Sequence, residues 1–220
     1  MRPHRATSAT NSSGDTMSAG EQAPCLGIIE ARWTPIENQT SVTSNSGEAD
    51  VIEIGDPFWS IEVNVNIRNR VHFDVWDTFL TRRKLADLTF TMWRSLRPTP
   101  RDPAITADAT LSIVSVDSGN STVTISDVLS VGRKAYPGDM ISYRTANNGY
   151  WVGQVLAEAT YDGSGEATLS VWPRPVAPHA SVTAPRRIAA LGEFRLTETA
   201  RVQEGFKRWD IRFRAEQVLR

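Results

Sequence analysis

Apolar and polar residues alternate without a break along Phe58–Ile67 (FWSIEVNVNI), where Ile61, Val63, Val65 and Ile67 are set against Ser60, Glu62, Asn64 and Asn66. A period of two sends successive side chains to opposite faces, so this segment predicts a strand with one dry and one wet face. Gly55-Asp56-Pro57 predicts the turn before it. The period then changes. In Arg70–Ala86, Val71, Val75 and Phe79, with Trp76 and Leu80, recur at three- and four-residue spacings that stack on one helix face. Arg82, Arg83 and Lys84 stand near its end, where cations complement exposed carbonyls. Upstream, Ile28, Ile29, Ala31 and Trp33 predict a strand running to Pro35, and the following ENQTSVTSNSGEAD predicts a loop. Downstream, Leu88–Met92 predicts a strand, and LRPTPRDPAIT a proline-rich connector.

The middle of the chain, Ala109–Pro185, carries only short strand signals. Leu111, Ile113, Val114 and Val116 form one, and Val123 and Ile125 another, with Ser118-Gly119-Asn120 as the turn between them. The stretch from Tyr136 to Arg174 reads as a meander. Pro137-Gly138, Asn147-Asn148-Gly149 and Asp162-Gly163-Ser164-Gly165 turn it, because Asn and Gly tolerate the positive φ that hairpin turns demand. Strands are expected from Met140, over Tyr150–Leu156 and over Ala167–Trp172. Near the C-terminus, Glu193–Leu196 and Trp209–Phe213 predict two more strands joined by TETARVQEGFKR.

The predicted fold is therefore mainly β with one helix. A β-sandwich-like domain is expected from residues 28–97 plus 188–220, interrupted by a small β-barrel in residues 98–187, with residues 1–27 as a polar arm. Met17 is an alternative start, since MSAGEQAPCLGIIEARW begins more like a folded protein than the leader before it does. The leader lacks the apolar core of a secretory signal, and no apolar run approaches the ~20 residues of a membrane helix.

Charge and composition narrow the function classes. With 24 basic against 25 acidic side chains the net charge is −1, so no global field draws the chain to nucleic acid, and no specific nucleic-acid or membrane partner is expected. A single cysteine, Cys25, excludes an intrachain disulfide framework and cysteine-rich zinc sites. His4, His72 and His179 lie far apart without zinc-motif spacing, and G-x-S-x-G, Walker and G-x-G-x-x-G motifs are absent. Asp162–Glu166 lacks the further ligands of a calcium loop and reads as a hairpin turn. No catalytic, cofactor-binding or metal-binding residue is expected, and no cofactor.

Tyr143, Tyr150, Trp151 and Trp172 are the aromatics able to stack on a sugar or a base, although small barrels use such residues as core. The acidic residues near the N-terminus, Glu30, Glu37, Glu48, Asp50, Glu53 and Asp56, read as surface loops. The proline-rich WPRPVAPHASVTAPRR, placed between strands, reads as an ordered crossover.

The order of these elements resembles a minor tail protein of tailed phages with long flexible tails, the distal-tail and tail-tip group. The resemblance rests on Phe58–Ile67, Val71–Leu85, Leu88–Met92, the Pro98–Pro103 connector, Gly138-Asp139, Trp172-Pro173-Arg174-Pro175 and Phe194-Arg195-Leu196. It covers Phe58 to the C-terminus; the leader and the loop-rich Thr34–Asp56 align to nothing in it. It implies a structural, non-enzymatic role in the virion, assembled in the bacterial cytoplasm. Subunits would form a ring, commonly of six, between the tail tube protein and the hub or baseplate proteins. The middle module would be a barrel of oligonucleotide/oligosaccharide-binding (OB) shape. Phe58–Ile67, pairing edge to edge, and Leu191–Leu196 are then the expected contact elements between copies. The rival reading is a carbohydrate-binding β module with Tyr150, Trp151 or Trp172 as its stacking platform. A third is a glycan-cleaving enzyme, which requires two carboxylates facing each other across a groove.

Overall fold

The computed structural model describes residues 21–43, 49–53, 55–86, 88–95, 98–147, 149–178, 185–205 and 208–219. The polar leader with His4 and Met17, the loop residue His179 and the turn residue Asn148 lie outside these. The chain is mainly β, with several sheets and one α-helix among the described residues. It begins with β1 (Glu21–Gln22), β2 (Ile28–Ile36), β3 (Gln39–Thr43), β4 (Ala49–Glu53) and β5 (Phe58–Ile67), followed by α1 (Arg70–Ala86) and β6 (Phe90–Trp93). The middle holds β7 (Ser112–Asp117), β8 (Thr122–Ser126), β9 (Lys134–Ala135), β10 (Met140–Arg144), β11 (Tyr150–Val155), β12 (Ala159–Thr160) and β13 (Glu166–Trp172). The chain closes with β14 (Leu191–Leu196), β15 (Arg201–Gly205) and β16 (Arg208–Gln217).

Two sheets dominate. The larger has seven strands in the order β1-β6-β14-β16-β5-β2, with β15 added on β16; all of them come from before Pro98 or after Arg187. Its centre is the antiparallel pair of β5 and β16, in register from Trp209 opposite Ile67 to Glu216 opposite Ser60. Along β5 every second residue from Trp59 to Ile67 is buried, as the alternation requires. The second sheet runs β10-β11-β13-β8-β7. Its end strands, β7 and β10, do not pair with each other, so the sheet is open where the sequence predicts a barrel.

The dry face of the larger sheet is covered in two parts. One cover is α1, which begins after Asn69, whose Oδ1 accepts the Val71 N–H at 2.9 Å as an N-cap. Trp76, Phe79 and Leu80 point inward; Phe79 meets Phe90 edge-on, and Trp76 lies against Phe213. Trp76 also donates its indole N–H to the Leu26 carbonyl at 2.8 Å, tying the helix to the approach to β2. Val71 and Val75, expected on the inward face, are exposed. The stripe is instead continued by Arg83, buried because it donates to the Thr89 carbonyl and pairs with Glu21.

The other cover comes from the second sheet. Met140 and Val152, on one face of β10 and β11, join the same core, and Trp172 packs edge-on against Trp59 at 4.5 Å. Gly192 of β14 makes this approach possible, since a Cβ there would lie 2.5 Å from Val152 Cγ1 and 2.8 Å from Phe194 Cε2. Gln217 then bridges the two sheets, accepting the Trp59 N–H and donating to the Val152 carbonyl. The opposite face of the second sheet has its own core, in which Tyr143 and Trp151 face each other across β10 and β11.

Two segments read as connections are strands. The loop-like stretch after Pro35 pairs β3 with β4, and the linker before Trp209 folds back as β15 on β16. β2 continues through Pro35 to Ile36 as an edge strand, where a missing N–H costs no ladder bond on the open side.

Candidate functional site

The larger sheet presents a polar face opposite its core. Opposed rows run across it: Arg32 with Glu62 and Arg214, and Glu30 with Asn64 and Arg212. Arg214 reaches both Glu62 (3.7 Å) and Glu198 (3.5 Å), so these two carboxylates share one guanidinium. A glycosidase pair needs an acid and a base or nucleophile facing open space. Glu62 and Glu198 are instead neutralised by the arginine between them.

The strands expected to make contacts are not edges. β5 is paired on one side with β16 and on the other with β2, and β14 lies between β6 and β16. β5 is paired along nearly its whole length on both sides, so Phe58–Ile67 cannot recruit a neighbour by edge pairing. β14 is flanked by β6 over Leu191–Phe194 and by β16 over Phe194–Leu196, and so lies inside the sheet. Among the described strands of the larger sheet, the open edges are β2 on one side of the β5–β16 pair, and β15 and the two-residue β1 on the other. All five residues of β15 are exposed.

The second feature is a buried polar hub where the chain leaves the second sheet. Arg187 donates through Nε to Asp108 (3.1 Å), through Nη1 to Ser130 Oγ and Tyr161 Oη (both 3.0 Å), and through Nη2 to Asp127 (2.5 Å) and the Ala107 carbonyl (3.1 Å). Asp127 also accepts from Thr110 Oγ1, Ser130 Oγ and the Leu129 N–H, capping the short 3₁₀ turn Val128–Ser130. Burial disfavours the Asp127 carboxylate, but the bonds from Ser130, Thr110, Arg187 and the Leu129 N–H outweigh it and hold the pKa at about 2. Burial likewise pushes the Tyr161 hydroxyl up, against the pull of Arg187. With no histidine or cysteine in it, the hub holds the chain entering the module (Asp108, Thr110) to the chain leaving it (Arg187). It fixes geometry and carries no nucleophile–base pair. No local pattern in the sequence marks it, because its members are single polar residues in loops.

The aromatic candidates separate. Trp151 and Tyr143 are completely buried; Trp151 donates to the Arg174 carbonyl at 3.2 Å and Tyr143 to the Val176 carbonyl at 2.6 Å. The Trp151 ring lies along its own strand, where a Cβ on Gly153 would come within 2.3 Å of it. Burial also raises the pKa of the Tyr143 hydroxyl. Tyr150 and Trp172 are half-buried but stand apart. Trp172 lies opposite Gln154, four residues along β11 from Tyr150, which is about 13 Å at a strand's rise. A coplanar platform of the three rings does not form.

Asp162 is a turn residue, accepting from Ser164 and Glu166 N–H. Those bonds hold its carboxyl below the usual range. Among the described residues no three His, Cys, Asp or Glu side chains gather as a metal site, and no helix is long and apolar enough to cross a membrane. No protein-family model and no curated protein matches this chain.

Proposed function

We propose that this chain is a structural, non-enzymatic virion protein at the distal end of a long phage tail, where copies form a ring joining the tail tube to the tail-tip hub. The observation that carries this reading is the larger sheet. It is built from the two ends of the chain, and it leaves β2 and β15 open on opposite sides of its β5–β16 centre. Two different open edges on one subunit are what a head-to-tail contact needs, and repeating that contact about an axis closes a ring. The near-neutral charge limits repulsion between assembled copies.

In this reading the larger sheet with α1 is the sandwich-like ring domain. The five-stranded sheet is the projecting module, an open counterpart of a small OB-like barrel. Assembly would take place in the bacterial cytoplasm, and six copies are the expected number.

Light scattering on the purified chain, with negative-stain images of the same sample, tests the reading. Closed rings of uniform size support it. A chain that stays monomeric, and also fails to assemble when co-expressed with tail tube and hub proteins, overturns it.

A further inference from the structure

We propose that the groove at the seam between the two sheets binds a neutral oligosaccharide, with Trp172 as the surface on which one sugar ring stacks. Glu37, Asn38 and Pro57, beside β2 and β5, form one wall, and Ser121, Trp172 and Arg174 from the second sheet form the other. The cavity between them is about 190 Å³, smaller than the ~300–1,000 Å³ of sites that enclose a whole small molecule, so it receives one part of a ligand and leaves the rest in the open groove. Neither sheet builds it alone.

The chemistry of the lining selects the ligand. A sugar presents an apolar face of C–H groups and a rim of hydroxyls that both donate and accept. Trp172 supplies the apolar surface, and its edge-on packing against Trp59 sets the ring before any ligand arrives, so little order is lost on binding. Around it stand an acceptor (the Glu37 carboxylate), a donor (the Arg174 guanidinium), and two groups that do both, the Asn38 amide and the Ser121 hydroxyl. One negative and one positive charge sum to zero, which favours a neutral ligand over a phosphate, sulfate or carboxylate.

The walls are fixed at the backbone. Trp151 holds the Arg174 carbonyl, Ser118 Oγ donates to the Pro175 carbonyl at 2.6 Å, and Val171 N–H donates to the Ser121 carbonyl at 2.9 Å. Ser121 itself has φ of 52°, a costly conformation for a residue with a Cβ and one that concentrates at binding sites. Asn38 is held by its bond to the Asp56 carbonyl at 3.2 Å. This inference does not depend on ring formation, since a single copy carries the whole groove.

The test is isothermal titration calorimetry of the full chain with tetrasaccharides of glucose, galactose, mannose and N-acetylglucosamine, and with a sialylated and a sulfated oligosaccharide as the acidic arm. At least one neutral tetrasaccharide is expected to bind, with Kd raised tenfold or more in Glu37→Ala and in Arg174→Ala. Trp172→Phe should weaken binding less than these. Trp172→Ala endangers the fold through Trp59, so the two rim variants, checked for unchanged near-UV circular dichroism, decide the matter. Three results would each overturn the proposal: no neutral tetrasaccharide bound at millimolar concentration, binding of the acidic oligosaccharides only, or neutral binding unchanged in both rim variants.

Discussion

Arg187 Nη2 lies 2.5 Å from Asp127 Oδ2, and the two side chains are 5% and 2% exposed. An ion pair this deep in the protein is costly to break from one side, because the surviving charge stays buried without its partner. Arg187→Met is therefore expected to lower stability by about 3–5 kcal/mol. The double variant Arg187→Met with Asp127→Leu should recover part of that loss, read from urea denaturation midpoints. If the single variant cost no more than an exposed substitution, the hub would not hold the module in place.

The same carboxylate sets an acid limit. Its folded pKa of about 2 lies below the unfolded value of about 3.9, so the folded state binds fewer protons in between. The stabilisation is complete above about pH 5 and disappears as pH falls through the folded value; a shift of nearly two pKa units corresponds to about 2.5 kcal/mol. Asp127→Asn should flatten the stability curve between about pH 4 and pH 2 while lowering it at neutral pH. Thermal melts across that range check the sign.

Gly192 gives a steric prediction. The β14 backbone approaches Val152 and Phe194 so closely that an added methyl has nowhere to go. Gly192→Ala is expected to cost about 1–3 kcal/mol by overpacking, a fall in Tm of roughly 3–10 °C for a chain of this size. Gly163→Ala, where a Cβ would meet nothing, is the matched control and should leave Tm almost unchanged.

If copies join through β2 and β15, charge at the edges should stop them. Ile29 and Val202 are already exposed, so Ile29→Lys and Val202→Lys should alter monomer stability by no more than about 0.5 kcal/mol. Combined, they are expected to convert rings to monomers in light scattering. Asn64→Lys with Asn66→Lys places charge on the wet face of an interior strand and should leave rings intact. Reversed behaviour of the two pairs would move the contact off the edges.

The local pattern carried much of the secondary structure. The alternation of Phe58–Ile67 marked β5 and its buried side, and the change of period at Arg70 marked α1. Which helix face turns inward was only half legible. Val71 and Val75 share the spacing of Phe79, yet the sheet beneath reaches only as far as Trp76, Phe79, Leu80 and Arg83. β3, β4 and β15 were missed because short strands rich in Thr, Ser, Glu and Arg look like loops until a partner is present. Position within the sheet was out of reach. β5 looked like an edge because its wet face is polar, and the strand that covers one side of it lies far along the chain, with Asn66 meeting Asp210 across 144 positions. The groove at Trp172 was partly visible, since that tryptophan already stood out as a stacking candidate. Its other wall, Glu37 and Asn38, was not, because only the folded chain brings them there.

That same distance between β5 and β16 has a consequence for synthesis on the ribosome. Pairings in the second sheet are nearer in sequence, and all its strands emerge before β16 does. Its strands can therefore join while β5 still waits with one side uncovered and Ile61, Val63 and Val65 still without the strand that completes their core. During that interval β5 is the sticky edge it never is in the finished protein. Its asparagines and glutamate then keep one face of the waiting strand wet, and so oppose pairing with another nascent chain.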